Sequence, residues 1–366
     1  MNEFAVYLWG TPGGTDPKAR AKVLAQSGFT VVDWDAEALD VLSHHMLRAM
    51  IHRPNAEMAR QLAGHPALWG YHCGDEPYPE EQFPALAELV GALAQADPGH
   101  PAFVNMLSTA GDFLRTYMKV VQPPILSFDY YQWWWGSDRY FEKLEQFREA
   151  ACLAGVPLGS CLEVNANPAS ESGDRTPLPD NAARLRQSVY TNLAYGVKMI
   201  EWFNCAAFFE QDSLHPTPAG CDAITLNREL SVLGSALIGL QSVDVFHTPP
   251  LPRCTREAPR EYWVQLTGEE MRAGLVQGMF KDDDGVDYLM VVNRDYRVAQ
   301  NVVVRLQSKW LGIAPWQEPK SYTYRIERFD RQQGGWTALR SSSFIGFTFG
   351  LDAADGELFR ITTQTG

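Results

Sequence analysis

Two glutamates each follow a short apolar segment in the first half of the sequence. Glu76 stands three residues after Leu68–Cys73, and Glu163 directly follows Pro157–Leu162. Cleavage of a glycosidic bond needs two carboxyl groups, one protonated to release the leaving sugar and one ionised to attack or to activate water. Burial and mutual repulsion raise the pKa of one such group, while hydrogen bonds keep the other ionised. The two glutamates therefore form a candidate catalytic pair.

Eight short apolar segments alternate with amphipathic stretches over the first two thirds of the chain. This alternation predicts parallel strands joined by helices through right-handed crossovers. Eight such units close into a (β/α)8 barrel, or TIM barrel. An open doubly wound sheet is the alternative, but no glycine-rich GxGxxG turn follows the first segment. The predicted strands are Phe4–Trp9, Phe29–Trp34, Met46–Ile51, Leu68–Cys73, Ala102–Leu107, Ile125–Tyr130, Pro157–Glu163 and Val197–Asn204.

The active site of such a barrel lies at the carboxyl ends of its strands. In this sequence acidic and aromatic residues gather there, and Glu76 and Glu163 follow the fourth and seventh strands, on roughly opposite sides of the barrel. Further residues at the strand ends are expected to bind the substrate: Asp75, Asp129, Tyr130, Tyr131, Trp133, Glu201, Trp202, Asn204, Trp9 and Asp33.

Side-chain alternation leaves part of this set open. Glu201 and Trp202 are neighbours in one predicted strand, so they point to opposite sides of the barrel wall. If Trp202 points into the site, Glu201 faces the helices, and Asp129 and Tyr130 carry the same ambiguity. An error of one strand in the count would make Asp129 or Glu201, rather than Glu163, the nucleophile.

The tetrapeptide Gly74–Pro77 (GDEP) resembles the acid/base motif of the retaining barrel glycosidases of clan A, the 4/7 superfamily. In that clan the acid/base glutamate ends strand 4 and the nucleophile glutamate ends strand 7. The resemblance covers about Phe4–Leu240 in topology. It implies a glycoside hydrolase that retains the anomeric configuration, with Glu76 as the acid/base and Glu163 as the nucleophile.

The resemblance extends to two aromatic positions and departs from the clan at one residue. Tyr130 or Tyr131 matches a tyrosine that contacts the nucleophile in many members of the clan. Trp202 matches a tryptophan that forms the floor of the sugar-binding site. The residue before the acid/base is usually an asparagine that contacts the sugar 2-hydroxyl, and here it is Asp75. The identity of the sugar therefore stays open.

Each of these features has a plainer structural interpretation. Glu76 before Pro77 can simply open a surface helix, and Glu163 can be an exposed loop carboxylate. The run Trp133–Trp135 either lines a sugar-binding rim or packs under neighbouring loops. Two other functions stay open: a carbohydrate-binding barrel without hydrolysis, and a barrel lyase or isomerase.

The pattern changes after the dipeptide Pro249-Pro250, beyond which apolar and polar residues alternate. We predict a (β/α)8 barrel domain over residues 1–248 and a small C-terminal antiparallel β-sandwich domain over residues 255–366. Whether the sandwich binds sugar or covers the barrel stays open. Its predicted strands are Tyr262–Leu266, Gly274–Phe280, Asp287–Asn293, Val302–Leu306, Tyr322–Ile326, Phe344–Phe349 and Glu357–Ile361.

Composition narrows the choice of partner. The net charge of −13 repels nucleic acid, whereas a neutral oligosaccharide or glycoside suits it, and no apolar run is long enough to span a membrane. The histidines show no HExxH spacing and the six cysteines no CxxC, so we expect no metal and no cofactor. The absence of a signal peptide indicates the cytoplasm, or a secreted or periplasmic protein if a leader was removed. The oligomeric state stays open.

Overall fold

The computed structural model describes residues 1, 3–14, 16–109, 111–166, 178–268, 273–306, 322–339 and 346–365. Contacts within the chain divide it into two compact units. The first unit comprises residues 1–185 and 197–234, and the second comprises residues 186–196 and 235–366. The division crosses one helix, Asn181–Ala194, so that its first residues belong to the first unit and its last residues to the second.

Eight strands of the first unit form the closed parallel barrel that the sequence predicts. Each strand pairs with the next, and the last strand pairs with the first to close the ring. Every observed strand overlaps its predicted segment. The strands are β1 (Ala5–Leu8), β2 (Val31–Asp33), β3 (Arg48–His52), β4 (Leu68–Asp75), β5 (Ala102–Leu107), β6 (Leu126–Asp129), β7 (Leu158–Glu163) and β8 (Val197–Phe203).

Helices lie between these strands, and local signals set several of their ends. The side chains of Asp16 and Asn55 each accept a backbone hydrogen bond of 2.9 Å in the first turn of a helix. Gly155, with φ of 67°, ends another helix in the left-handed conformation that suits glycine. The helices are α1 (Pro17–Gln26), α2 (Leu39–Ser43), α3 (Ala56–Leu62), α4 (Phe83–Ala96), α5 (Asp112–Val121), α6 (Gln132–Trp135), α7 (Tyr140–Ala154), α8 (Asn181–Ala194), α9 (Cys205–Phe208) and α10 (Pro218–Leu237). Among the helices described, none combines the length and the apolar character needed to cross a membrane.

Apolar side chains fill the barrel toward the amino ends of its strands. Burying each large side chain contributes roughly 1.5–3 kcal/mol relative to exposure. This filling leaves the opposite end of the barrel, at the carboxyl ends of the strands, to polar groups. The apolar layer consists of Ala5, Tyr7, Val31, Met50, Trp69, Phe103, Ile125 and Met199, with Trp9 packed against it.

The second unit contains two antiparallel sheets that share an apolar core, which confirms the predicted β-sandwich. One sheet has the strand order β10-β13-β16, and the other has the order β15-β14-β17-β12-β11-β9. The strands are β9 (Gln241–His247), β10 (Val264–Gly268), β11 (Leu275–Lys281), β12 (Asp287–Asn293), β13 (Gln300–Leu306), β14 (Tyr322–Asp330), β15 (Gly335–Ala338), β16 (Gly346–Leu351) and β17 (Gly356–Thr365).

Strand β9 lies within residues 1–248, the range expected for the barrel domain. It pairs antiparallel with β11 and so belongs to the sandwich. Residues Gln241–Asp244 alternate between exposed and half-buried, which is the period-two pattern of a strand. Proline cannot donate a hydrogen bond to a sheet ladder. The pair Pro249-Pro250 therefore follows the first sandwich strand instead of preceding the sandwich.

Candidate active site

Asp33 organises the barrel mouth beside β1 and β3. Its carboxylate accepts a hydrogen bond from the backbone nitrogen of Gly10 at 2.6 Å and another from the hydroxyl of Tyr7. It also meets Nε2 of His52 at 2.6 Å, and this hydrogen bond raises the pKa of the imidazole. The structure therefore places Asp33, an expected substrate contact, in a connected polar network.

Two histidines stand side by side in this network. The rings of His52 and His72 lie 4.4 Å apart, and Trp9 meets His72 edge-on at 5.0 Å. Burial and the neighbouring imidazole lower the pKa of His72 to about 4, so this ring is neutral at physiological pH. The expected set contained neither histidine, although the place of His52 at the end of β3 is a signal that could have found it. Among the described residues, no group of three or more His, Cys, Asp or Glu is arranged to hold a metal ion.

Glu201 points into the barrel from β8 and is fully buried. Its carboxylate accepts hydrogen bonds from Nε1 of Trp9 at 3.0 Å and from the hydroxyl of Ser127. Burial raises the pKa of Glu201 to about 8, although both hydrogen bonds oppose the rise. Gly159 makes room for this arrangement, because a Cβ there would lie 2.9 Å from Ser127 Oγ and 3.0 Å from Glu201 Oε1. Glu201 therefore forms part of the floor of the site.

Trp202 faces the helix layer, so its expected role as the floor of a sugar site is corrected. Its Nε1 donates a 2.7 Å hydrogen bond to Oδ1 of Asn227 on α10, and the side chain is fully buried. Asn227 in turn donates to the backbone oxygen of Ser27 at 2.9 Å. Neighbouring side chains of a strand alternate, so the outward direction of Trp202 accompanies the inward direction of Glu201.

Trp9 and Asn204 share a pocket beside β1 and β8. The pocket has a volume of about 810 Å³, and both of these expected substrate contacts line it. Oδ1 of Asn204 is buried and has no hydrogen-bond partner in the described part of the chain. An oxygen in that position is available to a ligand hydroxyl.

The end of β4 carries two neighbouring carboxyl groups, those of Asp75 and Glu76. Asp75 accepts a hydrogen bond of 3.0 Å from Nδ2 of Asn105, a buried residue of β5. Glu76 has a φ of 45°, and its backbone nitrogen donates to the oxygen of Asn105 at 2.8 Å. A positive φ is uncommon outside glycine and recurs at functional sites. Both residues are exposed at the barrel mouth.

Asp129, the last residue of β6, is the carboxyl group that meets Glu76. The side chain of Asp129 faces that of Glu76 at hydrogen-bonding range and is only 2% exposed, and its Oδ1 is buried without a hydrogen-bond partner among the described residues. Burial, then the hydrogen bond and charge of Glu76, raise the pKa of Asp129 well above its usual range, and the charge of Asp75 adds to the rise. Two carboxyl groups in such contact cannot both ionise at neutral pH. The raised pKa of Asp129 favours its protonated form.

Glu163 ends β7 as predicted, but its carboxylate is engaged elsewhere. It is fully buried, and Oε1 accepts a 2.8 Å hydrogen bond from the backbone nitrogen of Trp133 in the first turn of α6. Oε2 has no hydrogen-bond partner among the described residues. Burial raises the pKa of Glu163 to about 8, and the Trp133 N–H opposes the rise. These contacts do not test the pairing of Glu76 with Glu163, which stays a prediction.

The run of tryptophans after β6 divides between packing and exposure. Nε1 of Trp133 donates to the backbone oxygen of Arg184 at 3.2 Å, and Nε1 of Trp134 donates to that of Asn165 at 2.6 Å. Trp135, in contrast, is 50% exposed. The first two rings therefore pack under neighbouring segments, and the third is presented at the surface.

The two tyrosines before these tryptophans point in different directions. The hydroxyl of Tyr131 lies 3.6 Å from Sγ of Cys161, and its ring stacks on Phe203 with 5.4 Å between centroids. Tyr130 donates to the backbone oxygen of Gly136 at 3.0 Å. Tyr131 therefore lies at the barrel interior with Asp129, whereas Tyr130 stabilises the loop after α6.

Comparison with known proteins bears on the fold. No model of a protein family matches the chain, and no curated protein sequence does. A GH27 β-L-arabinopyranosidase from Geobacillus stearothermophilus is similar over 100% of this chain and 97% of its own, with a TM-score of 0.51 and 10% identity. A variant of that enzyme in complex with arabinose matches over 99% and 97%, with a TM-score of 0.50 and 10% identity. This chain has the fold of these glycosidases.

The comparison confirms the barrel followed by a β-sandwich, which is the part of the resemblance that concerns the fold. At 10% identity, the likeness extends no further than the fold. A shared fold does not determine the reaction, which depends on the side chains of the site.

Proposed function

We propose that the protein is a glycoside hydrolase in which Asp129 donates the proton and Glu76 is the partner carboxylate. The observation that carries the proposal is the contact between these two groups at the carboxyl ends of β4 and β6, with the pKa of Asp129 held well above its usual range. A proton donor must hold its proton at the working pH, and its partner must be ionised. Asp129 takes the acid role that the resemblance gives to Glu76, because Asp129 is buried and Glu76 is exposed.

The proposed reaction has two steps. Asp129 gives its proton to the glycosidic oxygen while Glu76 attacks the anomeric carbon, so that the leaving sugar departs as an alcohol and a glycosyl ester forms on Glu76. The Asp129 carboxylate then takes a proton from water, whose oxygen displaces Glu76 from the anomeric carbon. Two displacements retain the anomeric configuration, as the resemblance implies, and they require the entering sugar to separate the two carboxyl groups to roughly 5–5.5 Å.

The surrounding side chains supply contacts for a sugar. Asp33 and His52 offer an acceptor and a donor on one side of the mouth, and Asp75 is oriented by Asn105 beside Glu76. Trp9 presents an indole whose nitrogen is already held by Glu201. We propose an oligosaccharide or a simple glycoside as the substrate.

A panel of aryl glycosides tests the proposal. Asp129→Asn and Glu76→Gln should each lower kcat/KM on a cleaved glycoside by about 10²-fold or more, within the range for loss of an acid or nucleophile. Glu163→Gln should leave turnover within a few-fold of the wild type. Unchanged turnover in both Asp129→Asn and Glu76→Gln would refute the assignment, and inversion in the first product would refute the double displacement.

One observation favours a second function, a carbohydrate-binding barrel without hydrolysis. Retention needs the two carboxyl groups roughly 5–5.5 Å apart, whereas Asp129 and Glu76 are in direct hydrogen-bonding contact. A barrel that keeps these groups together would bind a sugar without admitting its anomeric carbon between them. Binding of a glycoside by calorimetry, with no product after long incubation over the whole panel, would establish this function.

A further inference from the structure

A groove of about 770 Å³ lies at the rim of the barrel, next to the proposed carboxyl pair. Tyr78 and Tyr130 line it, and these residues follow Glu76 by two positions and Asp129 by one.

Aromatic rings wall the groove and are exposed to solvent. Tyr78 is 66% exposed and Trp135 is 50% exposed, which is unusual for large aromatic side chains. Tyr78 is supported by Phe113, whose ring lies 5.8 Å away, and Trp135 is supported by Tyr130 and Tyr131 at 5.6 and 4.8 Å. Exposed aromatic rings that are held by neighbouring rings are suited to pack against the apolar face of a pyranose.

A lysine whose aliphatic stem is buried lies in the same groove. Lys143 lines it and is only 8% exposed, and no carboxylate forms a salt bridge with it in the described part of the chain. The charges that act on it are those of Glu142 and Arg139, its neighbours on and beside α7. Glu142 already meets Arg139 at 3.8 Å, so the groove holds two cations for one carboxylate.

A lysine that buries its stem keeps its ammonium group at the surface, where an anionic ligand can form a charge-assisted hydrogen bond with it. We propose that the groove binds a sugar that carries a carboxylate, a hexuronic acid unit, with its ring on the exposed aromatics and its carboxylate between Lys143 and Arg139. The inference rests on the proposed function only for the cleavage that would follow. Since the chain as a whole carries a charge of −13, this attraction is local and should weaken steeply with salt.

Binding measured without hydrolysis tests the groove. In the Asp129→Asn background, calorimetry would compare the methyl glycosides of glucuronic and galacturonic acid with those of glucose and galactose. At least one uronide should bind about tenfold tighter than its neutral counterpart, as one charge-assisted hydrogen bond contributes at least about that factor. Lys143→Met should abolish the difference and leave neutral binding unchanged. Lys119→Met, at an exposed lysine of α5, is the matched control and should change nothing.

A second variant covers the case in which Lys143→Met does not fold. Arg139 is 56% exposed, so Arg139→Gln should fold normally and still reduce the preference for the uronide. Equal binding of uronides and neutral sugars, or a preference that survives Lys143→Met in a folded protein, would overturn the inference. So would tight binding of a sulfated galactoside with none of the uronides.

The two proposals fail separately. Uronide binding that depends on Lys143, without hydrolysis of any glycoside by the wild type, would support the groove and refute the proposed activity. Hydrolysis that depends on Asp129, without a preference for uronides, would do the reverse.

Discussion

Glu163→Gln should raise the stability of the protein at neutral and alkaline pH. Oε1 of Glu163 accepts the Trp133 N–H, and Oε2 is buried without a hydrogen-bond partner in the residues described. Burial raises the pKa of this carboxyl group from its ordinary 4.5 to about 8. Glutamine has the same shape, keeps an oxygen for Trp133 and carries no charge.

The sign and size of the effect follow from proton linkage. Because the folded-state pKa is the higher one, the native protein holds more protons between pH 4.5 and about 8. This contribution to stability is full below about pH 4.5 and is lost as the pH rises toward 8. Over this interval the free energy of unfolding falls by at most roughly 5 kcal/mol, at about 1.36 kcal/mol per pH unit. We expect Glu163→Gln to be more stable by at least about 2 kcal/mol at high pH and equal to the wild type at low pH.

Urea unfolding followed by circular dichroism, at several pH values from 4.5 to 9, measures this difference. Glu149→Gln, at an exposed glutamate of α7, is the matched control and should show no such trend. A Glu163→Gln protein that is less stable at high pH, or whose difference from the wild type is independent of pH, would refute the reasoning. Loss of turnover in that variant, with the fold intact, would return Glu163 to the role of nucleophile.

Three further predictions concern the barrel. Activity should fall as the pH rises through the raised pKa of Asp129, and the Asp129→Asn variant should lack this alkaline limb in a pH–rate profile. The variant should lose the least activity on aryl glycosides with good leaving groups, which need no protonation to depart. Equal losses of activity for good and poor leaving groups would contradict the acid role. Gly159→Ala should destabilise the protein by about 1–3 kcal/mol in urea unfolding, because the new Cβ lies 3.0 Å from Glu201 Oε1; an unchanged midpoint would argue against this packing. Trp202→Phe should lower the free energy of unfolding by about 1–3 kcal/mol, because it leaves Oδ1 of Asn227 unpaired, and kcat/KM should stay within twofold of the wild type. A large fall in kcat/KM would place Trp202 in the sugar site.

The sequence by itself determined the architecture of the first unit and most of the second. Strand–helix alternation specified all eight barrel strands because each apolar segment must be buried between the barrel interior and the helices. It missed β9 because a proline pair marks the end of a strand as readily as a domain boundary. It also missed β15, whose four residues GWTA are too short to show a period.

The sequence also selected the positions from which the site is built, because parallel strands bring their carboxyl ends to one end of the barrel. Asp33, Asp129 and Glu201 were expected there on this ground alone, and the structure places each of them in the polar interior.

Only the tertiary structure decided which of these groups meet. The alternation of side chains along β8 implies that Glu201 and Trp202 point to opposite sides, but it does not determine which of them points inward. The pairing of Asp129 with Glu76, and of Glu163 with the backbone of α6, depends on loop conformation and on the positive φ of Glu76. These contacts join residues that are far apart in the chain, and a local pattern carries no information on such distances.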